Sequence, residues 1–251
     1  MLLAGPVAAD CVMNVRMDDD PPYLTTLSDG RPGGVHADIA REALRRIGCK
    51  AEFHELPFTR SLKDLAEGVI DILPNLFSTP ERQAFARFSR TRDQVPNRLF
   101  MRTEDKERSL VRSFDDLARF GLHIGYEAGA LISPDFPQML ADPRFKDVFV
   151  PGRTHESLWR MLVAHRIDGV IMDEQTARWE LVHLGFAGSV SGADFIAATA
   201  PAYYAFSRAS VTAEQVQAFD AAVSSMRKDG TLAAILTKYG LEESAAIDIA
   251  D

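Results

Sequence analysis

The chain has 251 residues, of which 46% are hydrophobic and 25% charged, enough apolar material for a sizeable core. Its formal net charge of −8 and pI near 5.3 count against a nucleic-acid binder, because phosphate contacts need a basic surface. No apolar run approaches the ~20 residues that span a bilayer, so a soluble protein of one large domain, or of two lobes of about 100–150 residues each, is expected.

Residues 1–9 resemble the end of a signal peptide, with small residues before a cleavage point after Ala9 and an arbitrary apolar start as the alternative. Cys11 and Cys49 each precede a short strand-like run, Val12–Val15 and Lys50–Phe53. If those strands are parallel neighbours, both cysteines start on one sheet edge and can bond. Closing a loop of ~40 residues would then contribute about 3–4 kcal/mol and would fit an oxidising compartment. Two unrelated buried thiols are the other reading.

The turn-rich Asp18-Asp19-Asp20-Pro21-Pro22-Tyr23 follows, then a turn at Gly30 and a helix with Ile39, Ala40, Ala43, Leu44 and Ile47 on one face and Gly48 as its stop. Thr59 is placed to cap the next helix, Gly68 to end it, and Val69–Leu73 reads as a buried strand. The middle of the chain restarts the theme. Ser113 caps a helix, His123–Tyr126 is a strand entering a loop at Gly129, Thr154 caps a helix, and Ile167–Asp173 is a strand. Helix, Ile-Asp and apolar strand thus occur twice, which points to two similar α/β lobes. Two helices close the pattern, the first with the capping box Thr212-x-x-Gln215 and the second capped by Thr231. Glu242–Asp251 carries no pattern and reads as frayed.

These residues carry a resemblance. Pro21-Pro22-Tyr23, Gly34-x-x-x-Asp38, Gly68-x-x-Asp71, Ser78-Thr79-Pro80-Glu81-Arg82 with Phe88-Ser89, Phe114-x-x-Leu117, Gly125-x-x-x-Gly129, Arg166-Ile167-Asp168 and Asp229-Gly230-Thr231 are each weak alone. In this order and spacing, the chain resembles the bacterial extracellular solute-binding proteins of family 3, the periplasmic proteins that feed polar amino-acid importers. The resemblance implies a type II periplasmic-binding-protein fold, with two lobes of mainly parallel sheet flanked by helices and joined by two crossing strands. The crossings are expected near Leu99–Arg102 and Tyr203–Ser207, so that residues 10–101 and 204–251 form lobe 1 and residues 102–203 form lobe 2. A monomer in the periplasm is expected, with an ABC transporter permease as partner and no cofactor or metal.

In the amino-acid binders, the arginine after the Ser-Thr-Pro-Glu type motif holds the ligand carboxylate, and the position is Arg82 here. A guanidinium suits that role through two parallel hydrogen bonds and a permanent charge. The aspartate ending the second lobe's strand takes the ligand ammonium, and Asp173 matches it; the plain alternative is a cap on the next helix. Asn75 and Phe77 are expected to line the cleft, in a loop one residue shorter than is typical. The family's Gly-Thr-Thr is replaced by Gly129-Ala130-Leu131, so Ala130 offers only a backbone N–H and an apolar side chain. Arg60 either adds a cation at the cleft mouth or lies on a helix surface. Tyr23 and Phe58 either sandwich the ligand or pack in the core, and Glu127 either points inward or meets solvent.

The six histidines show no metal-ligand spacing, and no nucleophile elbow, P-loop or dinucleotide loop is present. A binder is therefore expected. The alternatives are a dehydratase-like periplasmic enzyme, with Glu127 or Asp173 as general base, and a ligand-sensing module on the same fold.

Overall fold

Alternating burial along strand β1 (Cys11–Met17) turns Met13 and Val15 into the core and leaves Val12 exposed. A short hairpin, β2 (Thr25–Thr26) and β3 (Pro32–Gly33), leads to helix α1 (Val35–Arg46). Ile39, Ala40, Ala43 and Leu44 on α1 are fully buried, and Gly48 ends the run at φ +77°, a left-handed turn that favours glycine. There follow β4 (Cys49–Glu55), α2 (Phe58–Glu67), β5 (Ile72–Phe77), α3 (Pro80–Phe85) and β6 (Ala86–Asp93). The second unit runs through β7 (Asn97–Arg102), α4 (Phe114–Arg119), β8 (Ile124–Glu127), α5 (Phe136–Ala141), β9 (Phe149–Gly152), α6 (His155–Val163), β10 (Gly169–Asp173), α7 (Glu174–His183) and β11 (Val190–Ala198). The chain then returns as β12 (Ala202–Ser207), α8 (Ala213–Lys228), α9 (Thr231–Lys238) and β13 (Ile247–Ile249). This computed structural model describes residues 11–93, 96–105, 109–199, 201–241 and 247–249. The expected signal-peptide remnant, residues 1–9, lies outside them.

The strands form two sheets, in the orders β13-β6-β12-β5-β1-β4 and β11-β7-β10-β8-β9. Each is mixed rather than mainly parallel. β4-β1-β5 and β9-β8-β10 are parallel halves, joined by antiparallel β12, β6 and β13 in the first sheet and by β7 and β11 in the second. The apolar clusters respect this division: Phe219, Val223 and Leu236 pack with α1 and β1, whereas Phe136 and Phe149 pack with Leu99 and Ile124 in the second unit. Two separate cores make relative motion of the lobes the default expectation.

Cys11 stands opposite Cys49 in the parallel β1–β4 register, and the two form a disulfide with Cα atoms 4.5 Å apart. Asp71 ties the first lobe together. Its carboxylate accepts from the backbone N–H of Asn14 (2.7 Å) and from the Ser210 hydroxyl (2.5 Å), so the Gly68-x-x-Asp71 marker fixes β1 to the segment after β12.

Several boundaries differ from the sequence reading. The crossings lie earlier in the chain than expected, because Asn97–Arg102 pairs with Gly169–Asp173 in the second sheet and Ala202 already pairs with Phe77 in the first. The chain therefore changes sheet between β6 and β7 and between β11 and β12, before Leu99–Arg102 and Tyr203–Ser207. β5 starts at Ile72, since Val69 is 54% exposed in the turn after α2. Helix α2 starts one residue before Thr59, with Pro57 at its cap, and α9 has Gly230 at its cap with Thr231 as its first residue. In the tail, Ile247–Ile249 adds an edge strand to β6 instead of lacking structure.

Candidate ligand-binding site

A cleft runs between the two sheets, at the carboxyl ends of β1, β5, β8 and β10, where ligands of open α/β sheets bind. Its walls touch across the gap: the Thr176 hydroxyl donates to Asp20 Oδ1 (2.6 Å) and Arg82 Nη2 donates to the Gly129 carbonyl (3.5 Å).

Arg82 reaches the cleft because Thr79 caps α3. The Thr79 hydroxyl accepts from the Arg82 N–H, and Pro80 occupies the first turn, where no N–H is needed. The side chain is 7% exposed, its Nη1 donates to the Phe77 carbonyl (3.1 Å), and its guanidinium lies 5.9 Å from the Phe58 ring centre. Among the described residues it forms no ion pair with a carboxylate. Burial pulls its pKa down to about 10, the mark of a cation held away from water without a counter-ion. Asn75 lines the same wall with φ +58°, a left-handed conformation that asparagine tolerates better than most residues.

Asp173 faces this wall from the end of β10. Its Oδ1 also accepts from the N–H groups of Gln175 (3.0 Å) and Thr176 (2.9 Å), so it both caps α7 and lines the cleft. Although it keeps some solvent contact, it stands deep in the cleft. Burial drives its pKa up to about 7, with the Asp20 charge pushing the same way and the α7 N–H groups pulling back. Asp20, which sequence reasoning passed over as part of an acidic turn, stands beside it. Burial raises the Asp20 pKa to about 6, helped by Asp18 and Glu180 and opposed by the His155 charge and the Thr176 hydroxyl. No ion pair engages Asp20 or Asp173 among the described residues.

The other end of the cleft is different in kind. Arg16, 4% exposed, is ion-paired with Asp18, and its guanidinium lies 5.3 Å from the Phe58 ring centre. Glu127 points inward from the end of β8, with Oε2 3.6 Å from Nε2 of His155. His155 is the first residue of α6, fixed by the Thr154–Ser157 capping box, and its Nδ1 lies 3.1 Å from Glu180. Glu180 in turn accepts from the Trp159 indole N–H (2.5 Å). Burial presses the His155 pKa down, but the hydrogen bonds and charges of Glu127 and Glu180 outweigh it and hold the imidazole well above its ordinary value, as a cation. Burial raises Glu127, and the bond from His155 with the charges of His155 and Arg16 more than reverses this.

The structure thus brings Arg82, Asn75, Phe77, Phe58, Glu127, Ala130 and Asp173 to one cleft. The Ala130 N–H is already used, donating to the Glu127 carbonyl (3.0 Å), so that loop presents chiefly an apolar side chain there. Two assignments are corrected. Tyr23 is fully buried and stacks on His36 with ring centres 5.1 Å apart, a core position away from the cleft. Arg60 has a 61% exposed side chain and pairs along α2 with Asp64 (2.7 Å), which holds it on the helix surface. Arg16, Asp18, Asp20 and His155 were missed. The usable signal was position: Arg16 lies near the end of β1, Asp18 and Asp20 follow it, and His155 follows a cap.

The model of the bacterial extracellular solute-binding proteins, family 3, matches residues 13–242. The chain belongs to that family. Its membership makes this solute-binding protein an extracytoplasmic binder rather than an enzyme. Among solved structures it is similar to a histidine kinase sensor domain resembling periplasmic binding proteins, at 20% identity over 92% of this chain and 97% of that one, with a TM-score of 0.79. An ancestral arginine-binding protein bound to arginine gives 21% identity, coverage of 91% and 98%, and a TM-score of 0.75. A substrate-binding protein of an ABC uptake transporter from Streptococcus pneumoniae, with bound histidine, gives 21%, 93% and 94%, and 0.76. These likenesses establish the two-lobe binding-protein fold. No curated protein matches the chain by sequence. Among the described residues of the solute-binding protein, no group of three or more His, Cys, Asp and Glu side chains is arranged to hold a metal ion, and no helix is long and apolar enough to cross a membrane.

Proposed function

We propose that the cleft captures a small zwitterion of amino-acid type, with its carboxylate on Arg82 and its ammonium on Asp173. The observation that carries this reading is one of charge. Among the described residues, buried Arg82 forms no ion pair with a carboxylate, and Asp173, on the opposite lobe, has no paired cation. A zwitterion answers both needs at once, and only when the lobes are together. Phe58, Phe77 and Asn75 flank the bound molecule, and Glu127 meets its distal part. The lobes turn about the two connections between the sheets, and ligand contacts present only in the closed form shift the balance toward it. Moving a 1:99 balance to 99:1 takes about 5.5 kcal/mol of differential affinity, within reach of several charged hydrogen bonds at ~1.5–3 kcal/mol each. Working as a monomer in the periplasm, the protein hands its ligand to an ABC transporter permease. The arginine, histidine and glutamine complexes of its structural neighbours make those amino acids the first to try.

The test is a thermal-shift screen against amino acids, amines, opines and small organic acids. A ligand at 100 times its dissociation constant adds ~2.7 kcal/mol to the folded state. Stabilisation by one class of zwitterion supports the reading; stabilisation by anions or amines alone refutes it. The sensor-domain neighbour favours a second reading, a ligand-sensing module, which uses the same cleft and differs only in what the closed lobes contact.

A further inference from the structure

Among the described residues, the cleft holds one more carboxyl without an ion-pair partner than a simple zwitterion needs. Asp20 lies on the first lobe, just beyond the end of β1, and Asp173 lies on the second, at the end of β10. One residue joins them across the gap. Thr176, fully buried, donates its hydroxyl to Asp20 Oδ1 (2.6 Å) and its backbone N–H to Asp173 Oδ1 (2.9 Å). Closing the lobes therefore drives two carboxyls of opposite lobes into one partly dehydrated spot. Neither has an ion-pair partner there among the described residues. The groups that face Asp20 are Asp18 on its own segment, His155 at the start of α6, and Glu180 and Asp173 on and before α7; Asp173 is faced by Asp20. Only His155 is a cation, and it is already held by Glu127 and Glu180.

We propose that Asp20 is a specificity-determining residue of this cleft: with Asp173 it forms a split carboxyl pair on which the lobes close only around a cationic group or a proton. The inference rests on reading the cleft as the ligand site and goes beyond it by naming the ligand's required feature. That feature is a compact cation with several N–H donors, such as a primary ammonium, able to serve both carboxylates. A neutral or N-permethylated head lacks the donors and leaves the pair uncompensated. Two like charges brought together by closure bind protons more readily than either alone; burial is the main cause of the raised values of about 6 and about 7, and the Asp20 charge adds to the rise at Asp173. The sign follows. Above pH ~7 both carboxyls are charged and resist closure unless a cation lies between them; below pH ~6 a retained proton relieves the resistance and competes with the ligand.

The first experiment uses small-angle X-ray scattering of the protein alone between about pH 5 and pH 8.5, comparing the wild type with Asp20→Asn and Thr176→Val, each checked for a native circular dichroism spectrum. The wild type is expected to expand as pH rises through 6–7. Asp20→Asn is expected to stay compact throughout, since one of the two charges is gone. Thr176→Val keeps both charges and should retain the pH dependence. A wild-type profile flat with pH, or an Asp20→Asn profile superimposable on it, overturns the proposal. A mixture of the standard L-amino acids is then added at alkaline pH. Compaction of the wild type supports the pair as the holder of an ammonium, and its affinity should fall about tenfold per pH unit below ~6 while that of Asp20→Asn falls less steeply. Absence of compaction beside a pH profile that does respond to Asp20→Asn overturns the amino-acid reading of the site and leaves the proton-dependent closure standing.

Discussion

The two ends of the cleft are both crowded with charge, yet they are built on opposite plans. At one end Arg16 is paired with Asp18, and His155 lies between Glu127 and Glu180, so each cation has its anion within the protein. By contrast, Arg82, Asp20 and Asp173 stand in the same low-water cleft with no ion-pair partner among the described residues, although Asp20 feels the His155 charge from the matched group. Buried charges that are matched internally hold a structure together, and removing one partner is costly. Buried charges left unmatched cost stability and are retained for something that arrives from outside. The contrast separates residues that should matter for folding from residues that should matter for binding.

The largest effect tests the unmatched end. Arg82→Ala is expected to weaken binding of any zwitterion found in the screen by on the order of 10²–10⁴-fold, the loss of two charged hydrogen bonds. Because burial already disfavours this cation, the same variant should melt no lower than the wild type. A marked drop in Tm would mean that Arg82 is structural and would erase the contrast. Next in size, Cys11→Ser with Cys49→Ser should lower stability by about 3–4 kcal/mol on the chain-entropy model, read by urea unfolding. The effect should fall on the first lobe and leave ligand affinity almost unchanged.

His155→Ala tests the matched end. It leaves Glu127 and Glu180 without their shared cation and should cost about 2–3 kcal/mol, less than for a fully buried pair because these groups keep some solvent contact. The His155 pKa is raised above its ordinary 6.5. Its contribution is therefore complete below pH ~6.5 and is lost as pH climbs through the raised value. The Tm difference between wild type and His155→Ala should shrink toward alkaline pH, and a difference that grows would reverse the assignment. The smallest effect is that of Arg60→Ala. Arg60 is exposed but its partner Asp64 is buried, so the loss should exceed the ~0.3–0.5 kcal/mol of a fully exposed pair one helical turn apart and stay near ~1 kcal/mol, while binding should not move at all.

How much of this could be read in the sequence depended on distance along the chain. The Thr79 cap and Arg82 lie three residues apart, so their relation is local and legible. The same holds for Ser113 and Asp116, and for Thr212 and Gln215. The Cys11–Cys49 bond needed only the pairing of two short strands. Asp20 and Thr176 are 156 residues apart, and nothing in an acidic turn signals that it will face the cap of a distant helix. Arg16 was hidden in a strand whose alternation gives no hint that its end opens into a cleft. Tyr23 erred the other way, because an aromatic beside Pro21-Pro22 serves a binding wall and a core equally well. The crossings were misplaced because Leu99–Arg102 looks equally at home in either sheet, and only the β7–β10 pairing assigns it.

Gly129 sits where the lobes meet. A β-carbon there would lie 2.7 Å from the Thr59 Cγ2, on a backbone with φ +87° that favours glycine. The first lobe thus comes to rest against a bare stretch of backbone in the second. Any side chain at residue 129 would act as a doorstop, propping the jaws ajar with every charged group still in place. Such a protein would keep its recognition chemistry and lose its latch, so the tightness of its grip would be limited by one missing methyl group's worth of room.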